Sequence, residues 1–233
     1  MKILLTTLNS KFIHTNLAIR YLKESVKDLV DVDIREYTIN NQLDYILKDI
    51  YKNNYDVVFF STYIWNVHDI VKLCDNLKKV KPEIKIGLGG PEVTYDSENA
   101  MEEYKFLDYI LCGEGELVLR DLVQHFLGNK NIEDVKGIVY RKDGKIVKNE
   151  EMELLQNLDE IPSPYENLDV KEYENRIVYY ETSRGCPFNC QYCLSSAIKW
   201  LRYFSIDRVK RPKKSYRCKS IANKVYRQNF QCK

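Results

Sequence analysis

Val57-Val-Phe-Phe-Ser61, the segment Val67 to Val80 and Ile84-Lys-Ile-Gly-Leu88 decide the fold. The first is an apolar run of strand length, the third an apolar-rich one interrupted at Lys85, and the second spaces its apolar residues at a helical period. A strand with only one face in a core alternates apolar and polar residues, and runs such as Val57–Phe60 and Ile3–Leu5 do not. They are expected to be covered on both faces, as in an open parallel sheet wound with helices on either side.

The same unit recurs on both sides of this stretch. Upstream, Ile3–Thr7 precedes a helical segment over residues 16–30, and Val32–Tyr37 precedes one over 42–51. Downstream, a helical segment over 97–104 follows the third run. Leu107–Leu111 then reads as the last parallel strand, and residues 116–127, with Leu117, Leu119, Val123 and Phe126, read as its helix. The expected first domain is a doubly wound α/β unit over residues 1–128. Past Gly128, Gly137 to Val147 predicts a β-hairpin turning at Asp143-Gly144. Residues 154–168, with Pro162 and Pro164, predict an extended linker, so that 129–176 forms an appendage and linker. Ile177–Thr182 resumes strand character as the start of a second α/β domain over 177–205, and residues 206–233 are set apart as a basic tail.

The second domain opens on Glu181-Thr-Ser-Arg-Gly-Cys-Pro-Phe-Asn-Cys-Gln-Tyr-Cys193. Cys186, Cys190 and Cys193 have the spacing by which one tight loop offers three thiolates to a 4Fe-4S cluster while leaving the fourth iron open. Zinc would ask for four ligands, and no histidine lies near the loop; the remaining candidates, Cys218 and Cys232, are in the tail. Seven cysteines, three of them clustered, do not read as a secreted disulfide framework. No apolar run approaches the ~20 residues that span a bilayer, and the chain opens on strand-like residues rather than a signal peptide, so no membrane association and a cytoplasmic location are expected.

In an open parallel sheet, ligands bind at the carboxyl ends of the strands, here after Thr7, Ser61, Leu88 and Leu111. Two of these loops carry glycine: Gly89-Gly90-Pro91-Glu92 and Gly113-Glu114-Gly115-Glu116. Glycines there either admit a ligand to the backbone or serve tight turns. Neither a Walker motif nor a G-x-G-x-x-G turn is present, which weighs against ATP and NAD.

With Thr182-Ser-Arg-Gly-Cys leading in and Tyr192 before the third cysteine, the cysteine loop resembles the signature of the radical S-adenosylmethionine (SAM) superfamily. Preceded by the α/β domain, the whole is similar to the cobalamin-dependent radical SAM subfamily over nearly the whole chain to about Ser205. The resemblance implies that Cys186, Cys190 and Cys193 ligate a 4Fe-4S cluster and that the open iron holds SAM. It implies that Tyr192 approaches the adenine, with a plain packing role equally open, and that Gly89, Gly90, Pro91, Glu92, Gly113, Glu114 and Gly115 contact cobalamin. Many cobalamin proteins place a D-x-H-x-x-G loop after the first strand, with its histidine on cobalt. Here His14 lies near that loop without the Asp or the Gly, which leaves an axial-ligand role and a surface or helix-capping role both open. The implied partners are the small-molecule cofactors and an electron donor such as flavodoxin or ferredoxin.

Only forty residues follow Cys193, whereas a barrel housing the chemistry asks for roughly 200. From Arg208 onward there are ten Lys/Arg and no Asp/Glu, which leaves a body of about −8. Arg211 to Lys233 shows no period. If Ala222–Cys232 are written in A/T-rich codons and read one nucleotide later, they give Q-I-K-F-I-D-R-T-F-N, an alternating strand suited to the next βα unit. The expectation is therefore an N-terminal portion of such an enzyme, performing radical methyl transfer or a related reaction in its full-length form and inactive as a fragment, with a tail read out of frame. The alternatives are a cobalamin-binding module without catalysis and, taking the basic tail at face value, an RNA-binding arm; the tail lacks a platform of stacking aromatics, which disfavours nucleic acid.

Overall fold

The structure is a computed structural model and describes residues 1–165, 170–188, 190–198 and 200–215. It divides into two compact units, one of residues 1–12 and 18–153, the other of residues 13–17 with 154 onward.

In chain order, the first unit contains β1 (Ile3–Asn9), α1 (Leu17–Val26, its first residue assigned to the second unit), β2 (Val32–Thr38), α2 (Leu43–Lys52), β3 (Val57–Ser61), α3 (Val67–Val80) and β4 (Lys85–Gly89). It continues with α4 (Pro91–Thr94), α5 (Ser97–Glu103), β5 (Tyr109–Leu111), α6 (Gly115–Phe126), β6 (Ile138–Lys142) and β7 (Lys145–Lys148). The strands form one sheet in the order β2-β1-β3-β4-β5-β6-β7. The first five are parallel, with Ile3 opposite Val32 and Val57, and Gly89 opposite Leu111.

Successive strand residues point to opposite faces, and each face has its own core. Leu4, Leu8, Val58 and Phe60 pack with Ile46 and Ile50 of α2 and Ile70, Leu73 and Leu77 of α3. Ile3, Leu5, Val57 and Phe59 pack with Ile19 and Val26 of α1 and Val118, Leu122 and Val123 of α6. The unbroken apolar runs follow directly from this two-sided burial.

The hairpin is not an appendage. Its two-residue turn sits at Asp143 and Gly144, both at positive φ, and β6 pairs antiparallel with β5, extending the sheet by two strands. Ile138, Val139 and Tyr140 are buried in the two cores, which is why this segment belongs to the first unit.

The second unit holds β8 (Ser183–Arg184), antiparallel to β9 (Arg202–Tyr203), and α7 (Ile206–Ser215). The strand expected over 177–182 is reduced to a single parallel bridge between Ile177 and His14, because regular strand needs a paired neighbour along its length. Residues 154–165 also do more than link. Leu158, Ile161 and Tyr165 are buried, and Arg202 donates to the carbonyl of Leu155 at 2.6 Å. A helix over 206–215 covers part of the segment read as aperiodic. The remainder of the tail, including the proposed change of frame, Cys218 and Cys232, lies outside the described residues.

Candidate functional site

The order β2-β1-β3 makes the carboxyl ends of β1 and β3 the point at which the winding of the sheet reverses, where such sheets open a crevice. Asn66, 1% exposed, ties the two ends together. Its Nδ2 donates to the carbonyls of Leu8 at 3.0 Å and Ser61 at 3.2 Å, and its Oδ1 accepts from the amide of Tyr63 at 2.7 Å. The loop this closes carries Ile64, 79% exposed, and Trp65 stacked on Tyr63 with ring centroids 4.5 Å apart. The sequence marked this loop as informative but assigned it no residue. An apolar Tyr-Ile-Trp run directly after a strand, closed by an asparagine, was the available signal.

Gly89, Gly90, Pro91 and Glu92 form the next turn. Gly90 lies at φ +106, and a Cβ there would overlap the carbonyl oxygen of Thr62, so glycine is required for two backbones to meet. Pro91 opens α4 at its first position, where the missing N–H costs nothing, and Glu92 is exposed in its first turn. On the neighbouring strand end, Gly113 is exposed with nothing within 4 Å of a Cβ position, and Glu114 occupies the N-cap position of α6, which begins at Gly115, without a capping bond from its side chain. The register of β4 with β5 brings these two glycine turns side by side. Beside them, burial pushes the Cys112 thiol up from its ordinary value, although a hydrogen bond with Ser97 opposes this.

Residues 13–17, His14 among them, are assigned to the second unit. There its Nδ1 is hydrogen-bonded to the hydroxyl of Tyr179, Thr15 Oγ1 donates to the carbonyl of Ile177 at 2.8 Å, and the Ile177 amide donates to Ile13 at 2.6 Å.

The cysteine loop starts from β8. Gly185, at φ +87, packs its backbone on the carbonyl of Trp200 so closely that no side chain fits. The Cys186 amide meets Ile198 O at 3.4 Å and the Cys193 amide donates to Cys190 O at 3.2 Å. All three thiols are half-buried, whereas Phe188 is 57% and Tyr192 93% exposed. Among the described residues no three His, Cys, Asp or Glu side chains form a group that could hold a metal ion. Three thiols on one loop, with no competing histidine, remain a donor set suited to iron–sulfur chemistry.

A search against protein families matches residues 3–123, the α/β unit up to α6, to the B12-binding domain. The chain belongs to the B12-binding domain family. A curated relative of this chain, the "uncharacterized methyltransferase PH0819" of Pyrococcus horikoshii, is 32% identical over 201 residues, covering 83% of this chain and 44% of the relative. The cobalamin-dependent radical SAM methyltransferase TokK of Streptomyces tokunonensis is 30% identical over 166 residues, covering 66% of this chain and 24% of its own. Among solved structures, the cobalamin-dependent S-adenosylmethionine radical enzyme OxsB, with aqua-cobalamin and S-adenosylmethionine bound, superposes with a TM-score of 0.75 at 21% identity, over 90% of this chain and 30% of that one. The radical SAM methyltransferase TsrM from Kitasatospora setae gives 0.73 at 14% identity, over 92% and 45%. These two share the fold. The chain spans less than half the length of each of these relatives. Among the described residues no helix is long and apolar enough to cross a membrane.

Proposed function

We propose that this chain supplies the cofactor-holding part of a cobalamin-dependent radical SAM methyltransferase. Its first unit takes cobalamin at the carboxyl ends of β1, β3, β4 and β5, and Cys186, Cys190 and Cys193 of its second unit take a 4Fe-4S cluster. Bound together, the two groups supply one-electron cleavage of S-adenosylmethionine and carriage of a methyl group.

The observation that carries the reading is the family match over residues 3–123 coinciding with the sheet whose carboxyl edge bears the two glycine turns. A flat macrocycle fringed with amides asks for exposed apolar surface, backbone it can approach and fixed polar groups. Ile64 and the Tyr63–Trp65 stack offer the first, the exposed Gly113 the second, and Thr62 and Asn66 hold the turns in place. Tyr192, nearly fully exposed beside the third cysteine, is assigned to the adenine of SAM. The substrate of the methyl transfer is a molecule outside this chain, and reducing electrons come from a flavodoxin or ferredoxin.

A second reading, a cobalamin-binding module without catalysis, is supported by the family match, which ends before the cysteine loop. Aqua-cobalamin titration followed by absorbance, with iron and sulfide analysis after anaerobic reconstitution, decides between them. Cobalamin binding with about four irons per chain supports the first reading, cobalamin without iron supports the second, and neither overturns both.

A further inference from the structure

The amino edge of the sheet holds a groove that the function proposed above does not use. Val57 opens β3, Lys85 opens β4 and Tyr109 opens β5, and these strands are neighbours in the sheet, so their first residues stand together. With Met1, Ile84 and Phe126 among its walls they line a cavity of about 510 Å³, a size ordinary for small-molecule sites. Every lining residue belongs to the first unit, and the groove lies at the opposite ends of the strands from Thr62 and Gly89.

Lys81 is the unusual member of the lining. It is 7% exposed, and lysine is seldom buried without a carboxylate beside it. Its Nζ donates to Asn54 Oδ1 at 2.6 Å and to the carbonyl of Tyr55 at 2.7 Å, both uncharged, and among the described residues no carboxylate pairs with it. An ammonium has three N–H groups, so one remains for a further acceptor. The other cations of the groove are engaged, Lys85 with Asp108 at 3.1 Å and the amino terminus with Asp56 at 3.9 Å. Asp56 and the exposed Glu83 also line the groove, so a doubly charged anion meets repulsion that a singly charged one meets only by half.

The apolar part of the lining is Phe126 set edge-on to Tyr109, with ring centroids 5.6 Å apart, together with the buried Val57 and Ile84. The Tyr109 hydroxyl makes no hydrogen bond among the described residues. Burial and the neighbouring Asp108 push its pKa up to about 12, so it stays a neutral donor.

We propose that this groove is a ligand site in its own right, taking a small organic monocarboxylate with its charge on Lys81 and its apolar body against Tyr109 and Phe126. It neither uses nor requires the cofactors assigned above.

Hydrocinnamate, a carboxylate with a phenyl body, is the probe, and its uncharged isostere hydrocinnamide is the control, each titrated into the whole chain and followed by ¹H–¹⁵N spectra. Saturable shifts are expected at the amides of Lys81, Lys85, Tyr109 and Phe126, with half-saturation on the order of millimolar. Hydrocinnamide should bind on the order of tenfold more weakly, and Lys81→Gln should bring the two within about twofold. Absence of saturable shifts at these amides, equal binding of acid and amide, or a preference that survives in a folded Lys81→Gln overturns the proposal. Phenyl phosphate binding more tightly than hydrocinnamate overturns the assignment of a singly charged ligand. If Lys81→Gln does not fold, the acid-to-amide ratio in the unsubstituted chain decides alone.

Discussion

The carbonyl oxygen of Gly89 accepts two hydrogen bonds from Thr62, one from its amide and one from Oγ1, each 2.7 Å long. Gly89 ends β4 and Thr62 directly follows β3, so the last rung of the parallel ladder is doubled at the carboxyl edge of the sheet. Such an edge holds its loops in place before any ligand arrives, which reduces the ordering cost of binding. It also forces Gly90 against Thr62, and the requirement for glycine there is a consequence of the clamp.

Gly90→Ala should therefore destabilise the first unit by about 2–4 kcal/mol, since a side chain at positive φ is strained and its Cβ has no space beside the Thr62 carbonyl. Urea unfolding followed by circular dichroism measures this. Gly113→Ala, also at positive φ but in open space, should cost clearly less, and equal losses at the two positions would show that the Thr62 contact is not the cause.

Asn66→Ala should cost about 2–4 kcal/mol, because it strips the carbonyls of Leu8 and Ser61 of a buried donor and frees the Tyr63 amide. The loss of stability should be accompanied by a change in tryptophan fluorescence, since Trp65 sits on the loop Asn66 closes. An unchanged emission spectrum in a folded Asn66→Ala would mean that Tyr63 and Trp65 hold each other without it.

How much of this was legible depended on range. Val57–Ser61 and Val67–Val80 are found where the apolar patterns placed them, because two-sided burial leaves a mark on every residue. The turn at Asp143-Gly144 was legible because it is local. That β6 would join β5 was not, since a strand's sequence does not say which edge it meets. Asn66 resembles any loop asparagine until its burial is known. His14 was read with β1, eleven residues or fewer away, whereas its partner Tyr179 lies 165 positions along the chain. For the cysteine loop the spacing proposes a donor set, but it carries no information on how the thiols are turned.

The base of β2 offers a test in alkali. Tyr55, fully buried, donates to Asp33 Oδ2 at 2.8 Å, and burial together with that carboxylate pushes its pKa up to about 12 from 10.0. A raised pKa favours the neutral phenol in the folded state. Its contribution is complete below pH 10 and is lost as pH rises towards 12, where the unfolded chain has released a proton that the folded one retains. Stability should fall across that window by about 2 kcal/mol from this group, and Tyr55→Phe should flatten the fall while losing about 1 kcal/mol at neutral pH. Chemical denaturation at stepped pH measures both, and an identical slope in Tyr55→Phe would remove Tyr55 as the origin.

The cysteine loop separates ligand chemistry from loop shape. Replacing Cys186, Cys190 and Cys193 together by Ala should reduce reconstituted iron from about four per chain to background. The unfolding midpoint of the first unit should stay within about 2 °C, because its two cores contain none of these residues. Gly185→Ala is the more demanding variant, since it keeps every thiol. Gly185 brings its backbone onto Trp200 one residue before Cys186, and a Cβ cannot be accommodated, so the loop must leave β8 along another path. Iron affinity should fall on the order of tenfold, the scale of losing support around a metal site rather than a ligand. Full iron loading in Gly185→Ala would show that thiol spacing alone assembles the cluster and that the packing of this loop on Trp200 plays no part in it.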